Sequence, residues 1–178
     1  MATTNWILDP THSEVQFRIK HLMITNVTGS FNSFTVSAAT DGDNFSNADI
    51  RFTADVNSIS TNNQQRDTHL KSADFFEAEK YPDIVFRSTG NTNPDADGNF
   101  TLNGDLTIRD TTKNISLTVE FGGITKDPYG NVKAGFTVSG KINRKDFGLT
   151  WNAALETGGV MVSDEVKLSA EIQLVKQA

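Results

Sequence analysis

The chain has 178 residues, of which 37% are hydrophobic, and it contains no cysteine. This length predicts a single domain over residues 1–178, with a core from about residue 6 to about residue 175. The formal net charge of −6 argues against a nucleic-acid partner and against strong binding to anionic membrane surfaces. The lack of cysteine excludes disulfides and thiol catalysis. No apolar run is long enough for a spanning helix, so the protein is not expected to be membrane-embedded.

The first ten residues lack the positively charged segment and the apolar stretch of a signal peptide. The sequence as it stands therefore predicts a cytoplasmic protein. A periplasmic or secreted location is the alternative if a signal peptide has been removed from the N-terminus.

Alternation of apolar and polar residues, which is typical of strands with one wet face, runs through most of the chain. In 14–21, Val15, Phe17 and Ile19 share one face, and His21 continues the same parity. The eight predicted strands follow an extended start at 6–8 and lie at 14–21, 27–36, 50–56, 84–88, 100–108, 115–121, 134–142 and 166–174.

The longest stretch without this periodicity is 58–86, which connects two predicted strands. Thr61 or Asn62 is expected to cap a short helix over 64–71, and Ser72 is expected to cap a further turn. A connection of this length is seldom idle in a compact domain. We expect it to lie as a cap across one end of the β-structure.

Eight antiparallel strands with short turns predict an all-β fold, an eight-stranded antiparallel up-and-down barrel, with a β-sandwich as the alternative. The predicted inner face mixes large apolar residues with small ones, which suits an elongated cavity and also a barrel that only bends and packs. This pattern does not distinguish a filled interior from a cavity. The small residues of that face are Ala54, Gly104, Ala134, Gly140 and Ala170. The predicted cavity wall comprises Val15, Phe17, Ile19, Phe52, Leu102, Phe136, Val138 and Leu168.

The sequence offers little that predicts catalysis. The three histidines, His12, His21 and His69, lack metal-binding spacing, and no Gly-x-Ser-x-Gly motif occurs. Pairing of His69 with Asp67 is sterically plausible, although no serine is marked as a nucleophile. We therefore expect no catalytic residues, no metal and no cofactor.

Two charged pairs are expected to fasten loops at one end of the barrel. Arg66 and Asp67 are predicted to form an ion pair that holds the cap, and Arg66 could alternatively meet an anionic lipid head. Arg144 and Asp146 are expected to act in the same way after the strand at 134–142. Aromatic residues outside the alternation either seal this end or form a mouth that admits an apolar chain. They are Phe75, Phe76, Tyr81, Phe147 and Trp151.

An ordered set of short motifs resembles the YceI-like family, lipocalin-like barrels that bind polyisoprenoids or similar long apolar lipids. The motifs run in order from about residue 6 to about residue 175. They are WILDPTHSEVQF, SIST, RDTHL, SADFF, YPDIVF, GDLTIRD and INRKDFGL.

The resemblance implies non-catalytic binding and transport or storage of a long apolar lipid inside the barrel. The ligand would be a polyisoprenoid, a quinone or its precursor, or a fatty acid or amide. A small hydrolase or isomerase using His69 with Asp67, or His21, is the alternative, as is a filled structural or stress-related barrel. A homodimer is compatible with the sequence. The expected ligand-binding residues are Val15, Phe17, Ile19, His21, Phe31, Phe52, Arg66, His69, Phe75, Phe76, Leu102, Phe136, Val138, Gly140, Phe147, Trp151 and Leu168.

Overall fold

The computed structural model describes residues 3–153 and 161–178. Within these residues the chain forms eleven strands, one α-helix and three 3-10 turns. The strands are β1 (Thr3–Leu8), β2 (Glu14–His21), β3 (Thr25–Phe31), β4 (Phe34–Asp41), β5 (Asn44–Asp55), β6 (Ile59–Ser60), β7 (Asp83–Asn91), β8 (Phe100–Ile108), β9 (Thr111–Lys126), β10 (Val132–Asn143) and β11 (Val162–Lys176). The helix α1 is Gln64–Leu70, and the turns are Pro10–His12, Val56–Ser58 and Arg144–Phe147.

Eight strand positions close into one antiparallel barrel. β11 pairs with β1 near its C-terminal end and with β2 along the rest of its length, so β1 and β2 occupy one position. β4 pairs with β1 and β3 pairs with β2, so β3 and β4 share the next position. β5, β7, β8, β9 and β10 follow in hydrogen-bonded order back to β11. The predicted eight-stranded antiparallel barrel is confirmed.

Several strands are longer than their apolar alternation indicates. β9 begins at Thr111 because its pairing with β8 continues through polar residues to Ile108 opposite Thr111. The connection between the strands predicted at 100–108 and 115–121 is therefore a tight turn, in which Arg109 adopts the left-handed conformation with φ of 57°. Backbone hydrogen bonds extend a hairpin wherever geometry allows, so polar residues do not end it.

One end of the barrel is closed by an aromatic cluster, here called the plug, that consists of Trp6, Phe45, Phe121 and Phe136. Ring centroids lie 5.0 Å apart for Trp6 and Phe45, 4.9 Å for Phe45 and Phe136, and 5.3 Å for Phe121 and Phe136. Trp6 is completely buried, and its indole Nε1 donates to Thr40 Oγ1 at 2.8 Å. Tilted and edge-to-face ring contacts and a satisfied indole make this end a packed floor.

The long connection after β5 covers the opposite end. The short β6 pairs with Ser30–Phe31 of β3, and α1 follows. The helix cap is Asn63, whose Oδ1 accepts from the Arg66 amide at 3.0 Å. The prediction of Thr61 or Asn62 as the cap was wrong because Asn62 lies in the left-handed region, with φ of 61°, and Asn63 is the first extended residue before the helix.

Candidate apolar binding cavity

Between the plug and α1 the barrel encloses a cavity of about 590 Å³. Strand register keeps its inward side chains level, since Ala170 on β11 lies opposite both Val138 on β10 and Val15 on β2. Cavities of this volume with mostly apolar walls are typical of small-molecule sites. The interior therefore has room for an apolar guest and is not a filled core.

Polar side chains border the cavity at one end, here called the mouth, which lies opposite the plug. Asn63, Gln65 and Arg66 line the cavity and are exposed, so the cavity reaches the surface at this end. His21 of β2 and His69 of α1 line the cavity as well. The site is thus an apolar tube with a polar rim.

The structure places most of the expected ligand-binding residues on the cavity wall. Those on the wall are Val15, Phe17, Ile19, His21, Phe31, Phe52, Arg66, His69, Phe75, Phe76, Leu102, Val138, Trp151 and Leu168. Whether they contact a ligand stays a prediction.

Three expected residues do not line the cavity. Phe136 has the inward parity but belongs to the plug. Gly140 also faces inward, yet Leu117 covers it, since a Cβ at this position would lie 2.6 Å from Leu117 Cδ2. Phe147 is 2% exposed and is buried in the core at the 3-10 turn that follows β10. Alternation along a strand predicts which face a side chain is on. It does not predict how far along the barrel axis the side chain lies or whether a neighbouring side chain covers it.

Several wall residues are not among those expected from the sequence. Most have the same inward parity and could have been included on that signal, namely Ile50, Phe86, Leu106, Ile108, Ile115, Leu117 and Ile142. Leu149, Met161 and Val162 also line the cavity, but they follow no clear alternation and had no such signal.

A cluster of three aromatic rings lies at the mouth. The ring of His69 meets Trp151 edge-on at 4.8 Å and Phe75 at 5.1 Å, and Phe75 and Trp151 lie 5.4 Å apart. His69 Nε2 hydrogen bonds to Asp74 Oδ2 at 2.8 Å, which orients the imidazole within this group. His69 is therefore held as part of the rim by one carboxylate and two aromatic rings.

The expected Arg66–Asp67 ion pair is wrong. Asp67 Oδ1 accepts from the amide of Thr61 at 2.8 Å and from its hydroxyl at 2.6 Å. Arg66 donates from Nε to Thr61 Oγ1 at 2.8 Å and from a terminal nitrogen to Thr61 O at 2.6 Å. The two charged side chains thus fasten the start of the connection through buried Thr61. His69 bonds to Asp74, and within the described residues no hydrogen bond joins its ring to Asp67.

Arg144 fastens the other side of the mouth, although not through Asp146. Its guanidinium, 2% exposed, donates to the carbonyls of Leu149, Trp151, Val162 and Ser163. The nearest carboxylate is that of Asp164 at 3.8 Å. Burial lowers the pKa of Arg144, and Asp164 partly opposes this effect. Four backbone carbonyls take the place of the expected carboxylate because the chain returns past Arg144 twice.

The titratable cluster with the clearest shifts lies far from the cavity, beside the plug. Lys133 Nζ contacts Asp9 at 2.6 Å and Asp127 at 3.6 Å. The hydrogen bond from Lys133 holds the pKa of Asp9 well below its usual range, and Asp9 in turn raises the pKa of Lys133. His12 also bonds to Asp9 at 2.9 Å. This cluster joins β1 to the β9–β10 hairpin.

Within residues 3–153 and 161–178, no three histidine, aspartate or glutamate side chains converge as metal ligands. Over the same ranges, no helix is long and apolar enough to cross a bilayer.

Comparison with known proteins places this geometry among related barrels. The profile of a family described as YceI-like domain matches residues 6–174. A UPF0312 protein of Staphylococcus aureus strain N315 is 40% identical over 171 residues, 96% of each chain. The crystal structure of a Campylobacter jejuni YCEI protein is similar with a TM-score of 0.75 and 34% identity, over 96% of this chain and 97% of that one.

A more distant barrel is similar in fold alone. It is described as a polyisoprenoid binding domain from Saccharophagus degradans. Its TM-score is 0.71 at 14% identity, over 97% of this chain and 98% of that chain.

Proposed function

Since this chain belongs to the YceI-like family, we propose that its barrel binds a long apolar lipid of the polyisoprenoid type and carries or stores it without chemical change. The observation that supports this best is the cavity of about 590 Å³, with mostly apolar walls and with Asn63, Gln65 and Arg66 at the mouth. A ligand with an apolar tail and a small polar head matches that distribution. The binding of polyisoprenoid by the Saccharophagus domain, as its description states, agrees with this ligand class.

Burial of the tail would supply the binding free energy. Each methylene-sized group removed from water contributes ~0.8 kcal/mol before ordering costs. The rim residues Arg66 and His69 would meet the head group, because both border the cavity and reach solvent. A prenylquinone, a quinone precursor, a fatty acid or an amide all satisfy these requirements.

A hydrolase would need a base and a nucleophile side by side. Among residues 3–153 and 161–178, no serine or threonine hydroxyl hydrogen bonds to the His69 ring, whose partner is Asp74. The bond to Asp74 and the position of His69 on the cavity wall support a binding role for this residue.

Native mass spectrometry of freshly purified protein tests this proposal. We expect an added mass that organic extraction removes and that is recovered as an intact lipid after incubation. Protein without such a mass that also fails to take up a prenylquinone would overturn the proposal. Saturable conversion of a prenyl diphosphate or ester that is lost in His69→Ala would also overturn it.

A matched pair of variants localises the binding. Ala170→Phe should obstruct the cavity, because Ala170 lies on its wall between Val15 and Val138, and lipid uptake should be lost. Ser139→Phe adds the same ring on the exposed outer face of β10 and should leave uptake unchanged. Equal uptake by two folded variants would show that the lipid binds elsewhere.

A further inference from the structure

The hairpin between β2 and β3 carries an exposed apolar tip beside the mouth. Ile24 is 78% exposed and Met23 is 48% exposed. His21, just before the tip, lines the cavity. The Leu22 amide donates to the carbonyl of Met161 at 2.8 Å, and Met161 is another cavity residue. The tip is therefore fixed next to the opening through which a lipid would pass.

The backbone of this tip is unusual for its residues. Leu22 and Met23 have φ of 53° and 62°, in the left-handed region that crowds a Cβ atom. Hairpins usually place glycine or asparagine at such positions. Folding alone would favour those smaller residues, so an exposed apolar side chain such as that of Met23 at one of these positions indicates a use for its exposure.

A row of cations lies on the outer face of the same part of the barrel. Arg18 on β2 is opposite Lys167 on β11, and Lys167 is opposite Lys141 on β10. Like charges directly opposite each other destabilise a sheet. In the described part of the chain none of the three forms an ion pair, although Glu165 lies two residues before Lys167 on the same outward face. An anionic surface would supply the missing counter-charge.

We propose that this face docks on a phospholipid bilayer, with Met23 and Ile24 entering the acyl boundary and the cation row contacting anionic head groups. This inference rests on the proposed function, because the bilayer is the reservoir of a long apolar lipid. The net charge of −6 opposes a general attraction to such a surface. The local cations and the apolar tip overcome that repulsion only when the mouth faces the bilayer.

Co-sedimentation with vesicles of phosphatidylcholine and phosphatidylglycerol, free of isoprenoid, tests the docking. The double variant Met23→Ser with Ile24→Asn should partition at least ~10-fold more weakly, because two apolar side chains no longer leave water. Tyr129→Ser is the matched control, since Tyr129 is 90% exposed on the hairpin beside the plug, and its partition should equal that of the parent. Lys141→Glu with Lys167→Glu should weaken binding to these vesicles and leave binding to phosphatidylcholine alone unchanged.

A second measurement separates this inference from the proposed function. A prenylquinone delivered from cyclodextrin should bind the tip variant as tightly as the parent, while its transfer from vesicles should slow at least ~10-fold in the variant. Failure of the parent to take up quinone from cyclodextrin would refute the proposed function. Quinone uptake with no vesicle binding, or with equal binding by parent and tip variant, would refute the docking. The docking would also be refuted if the parent sediments as a dimer, the tip variant sediments as a monomer, and the two do not differ in any other respect. This face would then be a contact between two copies of the chain.

Discussion

Replacement of Arg144 by methionine should be among the most damaging single changes at the mouth. The side chain is 2% exposed, and one of its guanidinium nitrogens donates to the carbonyls of Leu149 at 2.6 Å and Trp151 at 2.8 Å. Methionine has a similar apolar stem but no donor, so both carbonyls lose their partner. An unsatisfied buried group costs about 1–3 kcal/mol, which gives about 2–6 kcal/mol for the two.

That loss is a large share of ordinary domain stability, about 5–15 kcal/mol. Urea denaturation followed by circular dichroism measures the change in unfolding free energy. Lys145→Met is the matched control, because the Lys145 side chain is 50% exposed and lies 3.4 Å from Asp164, a surface pair worth at most about 1 kcal/mol.

Lipid binding should weaken together with stability in Arg144→Met, since Leu149 and Trp151 both line the cavity. A loss below about 1 kcal/mol, equal to that of Lys145→Met, would refute the reasoning. It would mean that water reaches these carbonyls and that Arg144 is not what fixes the mouth.

Three further changes test other parts of the barrel. Asp67→Ala should lower the free energy of unfolding in urea by about 1–3 kcal/mol, because the amide and hydroxyl of buried Thr61 lose their acceptor. Asp74→Ala, at the half-exposed partner of His69, should lower it by under about 1 kcal/mol. Equal losses would show that Asp67 does not fasten the connection that covers the mouth. Trp6→Phe removes the hydrogen bond to Thr40 and should lower the free energy of unfolding by about 0.5–1.5 kcal/mol. Lipid affinity should stay unchanged, and an altered affinity would show that the plug contacts the ligand. The lowered pKa of Asp9 means that its ionised form stabilises the fold above the ordinary aspartate pKa of about 3.9, and that this contribution disappears as the pH falls toward the pKa in the folded protein. Asp9→Asn should therefore flatten the acid side of a plot of unfolding free energy against pH, and an unchanged slope below about pH 4 would contradict the assignment.

Period-two alternation was sufficient to predict the barrel and the inward face of most strands. Val15, Phe17 and Ile19 line the cavity, as their shared parity indicates. Alternation does not report depth, and for this reason Phe136 was placed on the wall although its ring belongs to the plug. Phe45 of the plug gave no signal, because the residues around it, from Asn44 to Asp49, are mostly small or polar.

Side-chain partners were harder to predict than strands. Adjacent opposite charges indicated an Arg66–Asp67 pair, but each group has a nearer partner in Thr61. Arg144 was expected beside a carboxylate, yet it serves backbone carbonyls brought together only by the closed barrel. Such contacts depend on where segments that are distant in sequence meet in the fold. The local sequence pattern carries no information about these meeting points.

The plug has a consequence for the order in which a guest moves. Because Trp6 and its neighbouring rings close one end, the cavity formed by residues 3–153 and 161–178 is a tunnel closed at the plug and open at the mouth. An amphiphile bound through the mouth would enter with its tail leading and would leave with its head leading. A lipid tail longer than the tunnel would protrude from the mouth. The length of tail that is sheltered from water would therefore be limited by the distance from the plug to the mouth and not by the affinity of any one wall residue. A molecule with polar groups at both ends would have to bury one of them against aromatic rings and would be rejected.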